Sequence, residues 1–180
     1  MYFRKSYFVG LVLFVLAVSG CYLVFDQPHR GAVIEQWQSE NKRFRVRVTA
    51  FEEKGANVNG AYYRFEAASS GSDDWREIMT FRHDDDPKIP RDQVRFVNDD
   101  IGYVFMGWMY AVTTDAGKSW SVWSAEKDLP DWQCCNYKLI NDVTMGSDGR
   151  GVMRLSPSEG RRGEVAELRT NDYGRHWTQP

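Results

Sequence analysis

The residues of this chain that are equipped for chemistry are few and scattered. Its histidines are His29, His83 and His176, and its cysteines are Cys21, Cys134 and Cys135. His83 opens the run His83-Asp84-Asp85-Asp86-Pro87-Lys88, whose carboxylates are of the kind that bind a divalent cation through oxygen. An acidic run ahead of a proline reads equally as a solvated loop joining strands. The adjacent pair in D-W-Q-C-C-N-Y reads either as two separate thiols or as a vicinal disulfide between Cys134 and Cys135. Such a bridge needs a distorted peptide and an oxidising compartment. Two adjacent thiolates do not make a tetrahedral zinc site, and no Cys/His cluster has zinc-like spacing. No G-x-S-x-G elbow, P-loop or supported Cys–His pair is present. The sequence therefore predicts no catalytic residue, no metal and no cofactor.

One motif occurs twice. Residues 113–120 read T-T-D-A-G-K-S-W and residues 170–177 read T-N-D-Y-G-R-H-W, sharing Thr-x-Asp-x-Gly-x-x-Trp. A degenerate third copy, Ala68 to Trp75, keeps the tryptophan and places serine at the Asp and Gly positions. Thr113, Asp115, Gly117 and Trp120, and likewise Thr170, Asp172, Gly174 and Trp177, make sense as a hairpin turn. The carboxylate accepts from backbone N–H groups two or three residues on, the glycine takes a positive φ, and the tryptophan covers the apolar side chains behind. Nothing in that arrangement requires a substrate. Trp75, Trp120 and Trp177 recur at intervals of roughly 40–60 residues, the size of a propeller blade.

The elements that position these motifs are short strands. GAVIEQWQ, FRVRVTAF, AYYRFEAA, WREIMTF, QVRFV, GYVFMG, MYAVTT, WSVWSA, KLINDVTM, GVMRL and EVAELRT are rich in Val, Ile, Phe, Tyr and Trp and are separated by Gly, Asn, Asp, Ser or Pro. The pattern predicts an all-β domain of about three four-stranded antiparallel blade-like sheets, from residues 32–82, 93–124 and 137–180. Only residues 124–132 suggest a short helical turn. Three blades do not close a propeller, and the third stops short of a full last strand. Completion by the strand around Val33 to Trp37, an irregular sandwich, or a partner on an open edge are the alternatives; a compact three-sheet or sandwich-like arrangement is expected. In K-R-F-R-V-R the alternation of Arg43, Arg45 and Arg47 with Phe44, Val46 and Val48 predicts a half-buried strand with its charges in water; a dedicated surface for an anionic partner is the alternative.

Ahead of this domain, Arg4 and Lys5 precede a charge-free run from Tyr7 to Phe25, close to the ~20 apolar residues that span a bilayer. Residues 1–26 read as a membrane segment and 27–31 as a tether to a domain at 32–180. Val18-Ser19-Gly20-Cys21 resembles a bacterial lipobox, which would lipidate Cys21 after cleavage; an uncleaved signal anchor is the alternative. Both place the domain on the periplasmic face of a bacterial membrane. The formal net charge is −2, a poor balance for nucleic-acid backbones. Aromatics make up 14% of the chain, and those read as loop residues, Trp108, Trp123, Trp132 and Tyr137, suit protein or sugar contacts or fill the core. The loops at residues 82–92 (with His83, Asp84, Asp85, Asp86 and Lys88) and 125–136 are the candidate contact surfaces.

The two Thr-x-Asp-x-Gly-x-x-Trp segments resemble the Asp-box, or BNR, repeats of sialidase-like β-propellers and of propeller-shaped assembly factors. V-R-F-V-N-D-D-I-G-Y-V-F-M and I-N-D-V-T-M-G-S-D-G-R-G-V-M-R-L look like the strand pairs that precede the box in those families. Sialidase chemistry is not implied: the expected Arg-Ile-Pro stands here as Lys88-Ile89-Pro90, and a six-bladed chain is far longer. In size, anchor and Asp-box content the chain is similar to periplasmic immunity proteins for type VI secretion lipase effectors. The resemblances imply a non-enzymatic domain that binds a protein partner, as an immunity protein, as an assembly factor for a membrane complex, or, alternatively, as a glycan or cell-wall binder.

Overall fold

The computed structural model describes residues 30–53, 61–83, 91–129, 138–157 and 166–180. The candidate membrane span, Cys21, Asp84, Asp85, Asp86, Lys88, Trp132, Cys134, Cys135 and Tyr137 lie outside the described residues, and His83 enters only as the last backbone position of a strand. Among the described residues no helix is long and apolar enough to cross a membrane.

The domain is all-β, built from three antiparallel sheets. The first runs in sequence order through β1 (Arg30–Glu40), β2 (Phe44–Glu53), β3 (Ala61–Ser69) and β4 (Arg76–His83). The second, after a 3-10 turn at Arg91–Gln93, holds β5 (Val94–Phe96), β6 (Gly102–Met106), β7 (Met109–Thr113) and β8 (Ser121–Ser124). The third holds β9 (Lys138–Met145), β10 (Gly151–Pro157) and β11 (Ala166–Thr170), with β10 in the middle. Each apolar run found in the sequence lies on one of these strands. The α-helical turn α1 (Ala125–Asp128) falls inside the stretch expected to hold one. β1 pairs with β2, so it completes the first sheet rather than the third.

All three sheets share one register. The residue before the motif's first position pairs with the residue after its tryptophan: Val112 with Ser121, Arg169 with Thr178, and, in the degenerate copy, Ala67 with Arg76. The fourth strand of the third sheet is thus begun by one rung, closed by two backbone hydrogen bonds between Arg169 and Thr178 of 2.8 and 3.0 Å. Each motif is the turn between third and fourth strands of its sheet, and each tryptophan opens the fourth.

Packing is face to face. Phe44, Val46 and Val48 of β2 with Tyr63, Phe65 and Phe81 meet Val94, Val104, Met106 and Ala111 of the second sheet in one buried cluster. On the other face of the second sheet, Tyr103, Phe105, Tyr110 and Val112 meet Val143, Met153, Leu155, Leu168 and Trp177 in another. The second sheet is therefore the middle layer, which is why every residue of β6 is buried although its side chains alternate in direction. Trp123, expected in a loop, is a buried member of β8. Trp108 sits in the two-residue β6–β7 turn, packed against both clusters. The outer face of the third sheet carries Thr144, Arg154, Glu167 and Arg169, residues that suit water.

Candidate functional site

The two complete motifs fold identically. In the first, the Thr113 hydroxyl donates to Asp115 Oδ1 at 2.8 Å and accepts from the Gly117 N–H at 2.9 Å. Asp115 then accepts from the Ser119 N–H at 2.9 Å and the Ser119 hydroxyl at 2.6 Å. In the second, Thr170 donates to Asp172 at 2.7 Å and accepts from Gly174 at 2.9 Å, and Asp172 takes the His176 N–H at 3.1 Å and its ring Nδ1 at 2.6 Å. The carboxylate therefore reaches the N–H four residues on, further than a simple Asx turn, because two successive residues take positive φ. These are Ala116 and Gly117 (φ 60 and 79) and Tyr173 and Gly174 (φ 64 and 82). The threonine is the hub of the turn; the sequence marked it as recurrent without giving its role.

The tryptophans stand on the face turned to the preceding sheet. Trp120 packs on Phe44 of the first sheet with ring centroids 6.2 Å apart. Trp177 meets Tyr110 of the second, edge on, at 5.4 Å. Tyr110 donates its buried hydroxyl to the Tyr173 carbonyl at 2.9 Å, and burial raises its pKa far above the phenolic range. The threonine hydroxyls and aspartate carboxylates of the motifs are thus spent within the turns.

Burial alone would favour the neutral acid at Asp172, but hydrogen bonds from the His176 ring, the Thr170 hydroxyl and the His176 N–H outweigh it and hold the carboxyl at about 2. Burial likewise opposes ionisation of Asp115, and Ser119, Thr113 and the Lys118 N–H lower it nonetheless. A carboxyl depressed on folding stabilises the folded state above its unfolded value of about 3.9, and that contribution disappears as pH falls towards 2. Thermal melts at pH 7, 5, 4 and 3 should show a midpoint level down to pH 5 that drops below pH 4. Asp172→Asn should melt lower at pH 7 and lose part of the acid dependence; an unchanged acid slope would locate its source elsewhere.

The degenerate third motif leads to a different site. Gly71 takes positive φ there, while Trp75 is half-buried on the outer face of the first sheet, with the guanidinium of Arg47 4.2 Å and that of Arg45 4.9 Å from its ring. Arg47 Nε donates to Glu66 at 3.0 Å, and Glu66 also lies 3.3 Å from Arg64, which stacks on Phe51. Arg45 donates to the Ser72 carbonyl and lies 3.3 Å from Asp73. A cleft of about 370 Å3 opens here, lined by Gln36, Trp37 and Gln38 of β1, Arg45 and Arg47 of β2, and Asp73 and Trp75. The expectation of arginines in water is corrected on this face. The side chains of Arg45, Arg47 and Arg64 are only 17, 23 and 19% exposed, because their guanidiniums stand over aromatic rings instead of extending into water.

A second, more open cleft on the third sheet runs between Thr144, Arg150, Arg169 and Asn171. Its arginines are solvated and paired with Asp148 and Glu167. Among the described residues no three His, Cys, Asp or Glu side chains converge as a metal site.

The fold and these sites define a class: an all-β protein of three stacked, register-matched sheets with a recurring third-to-fourth-strand turn. Comparison with family models, characterised proteins and solved structures found no match for the chain.

Proposed function

We propose that this chain is a non-catalytic binding protein, held at the periplasmic face of a bacterial membrane by the segment before its tether, that neutralises a secreted toxin of the lipase-effector kind. The supporting observation is the division of labour among its polar groups. The motif carboxylates and hydroxyls are consumed in building turns, whereas the charged and aromatic groups gathered around Trp75 line a surface cleft on a rigid sheet. A rigid scaffold with a lined cleft suits recognition of a macromolecule. The immunity reading itself rests on the resemblance in size, anchor and repeat content.

The test is affinity capture with the tagged full chain from detergent-solubilised membrane and periplasmic extracts, followed by co-expression. One stoichiometric secreted hydrolase, whose toxicity is relieved when this chain is co-expressed, is the expected result. Subunits of a resident membrane complex would overturn the immunity reading in favour of an assembly factor. Binding to cell-wall material without any protein would overturn it in favour of a glycan binder.

A further inference from the structure

The shared register makes the faces of the three sheets comparable position by position. Gly102 opposite Thr113, and Gly151 opposite Thr170, correspond to Arg45 opposite Ala68. Two residues on, Val104 and Met153 correspond to Arg47; on the neighbouring strand Ala111 and Leu168 correspond to Glu66. Val104 and Ala111, and Met153 and Leu168, are buried between sheets. Trp120 and Trp177 stand on that same face, against the preceding sheet. Trp75 holds the equivalent place in the first sheet, where no sheet of described residues covers it. A face that is glycine and aliphatic in two repeats is arginine and glutamate in the third.

We propose that this face is a docking surface for a protein partner, which inserts an acidic side chain into the cleft between Trp75 and β1. The proposal rests on reading the chain as a protein binder and assigns the surface it uses. Two observations select the occupant. Arg45 Nε, on a residue that lines the cleft, is a buried donor without a hydrogen-bond partner among the described residues. Buried unpaired donors are costly and call for acceptors. The indoles of Trp37, Trp120 and Trp177 are unpaired among the described residues too, but they belong to the clusters between sheets. The second observation is charge. Among the described residues, three guanidiniums, on Arg45, Arg47 and Arg64, share two carboxylates: Glu66, which serves both Arg47 and Arg64, and Asp73, whose side chain is 97% exposed. An entering carboxylate takes Asp73's place at Arg45 as a charge-assisted acceptor. The guanidiniums of Arg45 and Arg47 are already held against the Trp75 ring, so little side-chain freedom is lost on binding.

The test titrates the 15N-labelled full chain, in detergent micelles, with acetylated hexaglutamate, using hexaglutamine and hexalysine as controls. The indole N–H signals of Trp37 and Trp75 report on the cleft. Hexaglutamate should shift both signals saturably, with an affinity that falls as salt rises. Binding should weaken about tenfold or more in Arg45→Gln and in Trp75→Ala. Gln38→Glu, at an exposed position, should weaken it as much without perturbing the fold. No saturable shift, an equal response to the controls, or binding undiminished in all three variants would overturn the proposal. The same variants separate it from the functional reading. A toxin captured equally well by Arg45→Gln and Gln38→Glu removes this surface and leaves the immunity reading standing. Specific hexaglutamate binding by a chain that captures no protein supports the cleft and counts against that reading.

Discussion

Replacing Phe44 with alanine should cost this domain about 3–5 kcal/mol, the range for removing a buried aromatic that its surroundings cannot replace. Phe44 is fully buried where the first and second sheets meet. Its ring meets Phe96 edge on at 5.1 Å and Trp120 at 6.2 Å. Two glycines of the second sheet make room for it: a Cβ on Gly102 would lie 2.7 Å from the Phe44 ring, and one on Gly117 3.0 Å from it. The truncated site is therefore walled by residues with no side chain to fall inward, and by Gly117, fixed in its turn by the Thr113 hydroxyl. The Phe44 N–H is held by the Asn41 side chain at 3.0 Å, so β2 cannot slide to fill the gap. Chemical denaturation of wild type, Phe44→Ala and Phe44→Leu will measure this. The leucine variant should lose much less, and an alanine loss below about 1.5 kcal/mol would mean that Phe96 and Trp120 collapse into the space.

Gly174→Ala should be nearly as damaging, about 3 kcal/mol or more, and a graded series shows why. Gly71, Gly117 and Gly174 have almost the same φ, 78, 79 and 82, so alanine meets the same left-handed penalty of roughly 1–2 kcal/mol at each. Their surroundings differ. Nothing lies within 4 Å of a Cβ at Gly71, whereas a Cβ at Gly174 would be 2.7 Å from the Tyr110 ring and hydroxyl and 2.8 Å from the Trp177 ring. Tyr110 is fully buried and tied to the Tyr173 carbonyl, so it has nowhere to go, and overpacking adds about 1–3 kcal/mol. The expected order of loss is Gly71→Ala, then Gly117→Ala, then Gly174→Ala. Equal losses at Gly71 and Gly174 would mean that backbone conformation, not the seat against Tyr110, sets the cost.

Much of the fold was legible because its information is local. Apolar runs such as GYVFM and MYAVT are separated by turn residues, and the register of a hairpin follows from the turn it closes, so the strands and the two complete motifs could be read from one dimension. The threonine hub escaped because Ser119 and His176, which complete the same bonding ring, are different residue types and share no visible pattern. The left-handed Ala116 and Tyr173 escaped because neither type favours that conformation; the hydrogen-bonded ring enforces it. The arginine face was misread for a deeper reason. Alternation tells which side of a strand Arg45 and Arg47 occupy, but whether that side is wet depends on Trp75, distant in sequence, in the turn that leads into β4. Aligning β2 on the repeat, so that Arg45 falls where Gly102 and Gly151 stand, was the signal available.

Among the described residues, Trp108 is the one side chain that packs against both hydrophobic clusters. Each outer sheet otherwise buries its apolar surface against the middle one alone, as in a nearest-neighbour array. Cooperativity between the outer sheets must therefore pass through the middle sheet. The third sheet, with a single rung of its fourth strand, is placed to open while the cluster around Phe44 and Phe65 stays closed. Native-state hydrogen exchange would then separate the amides of β9 to β11 from those of β2 and β3 into two tiers of protection, with the middle sheet ranked alongside the more stable one.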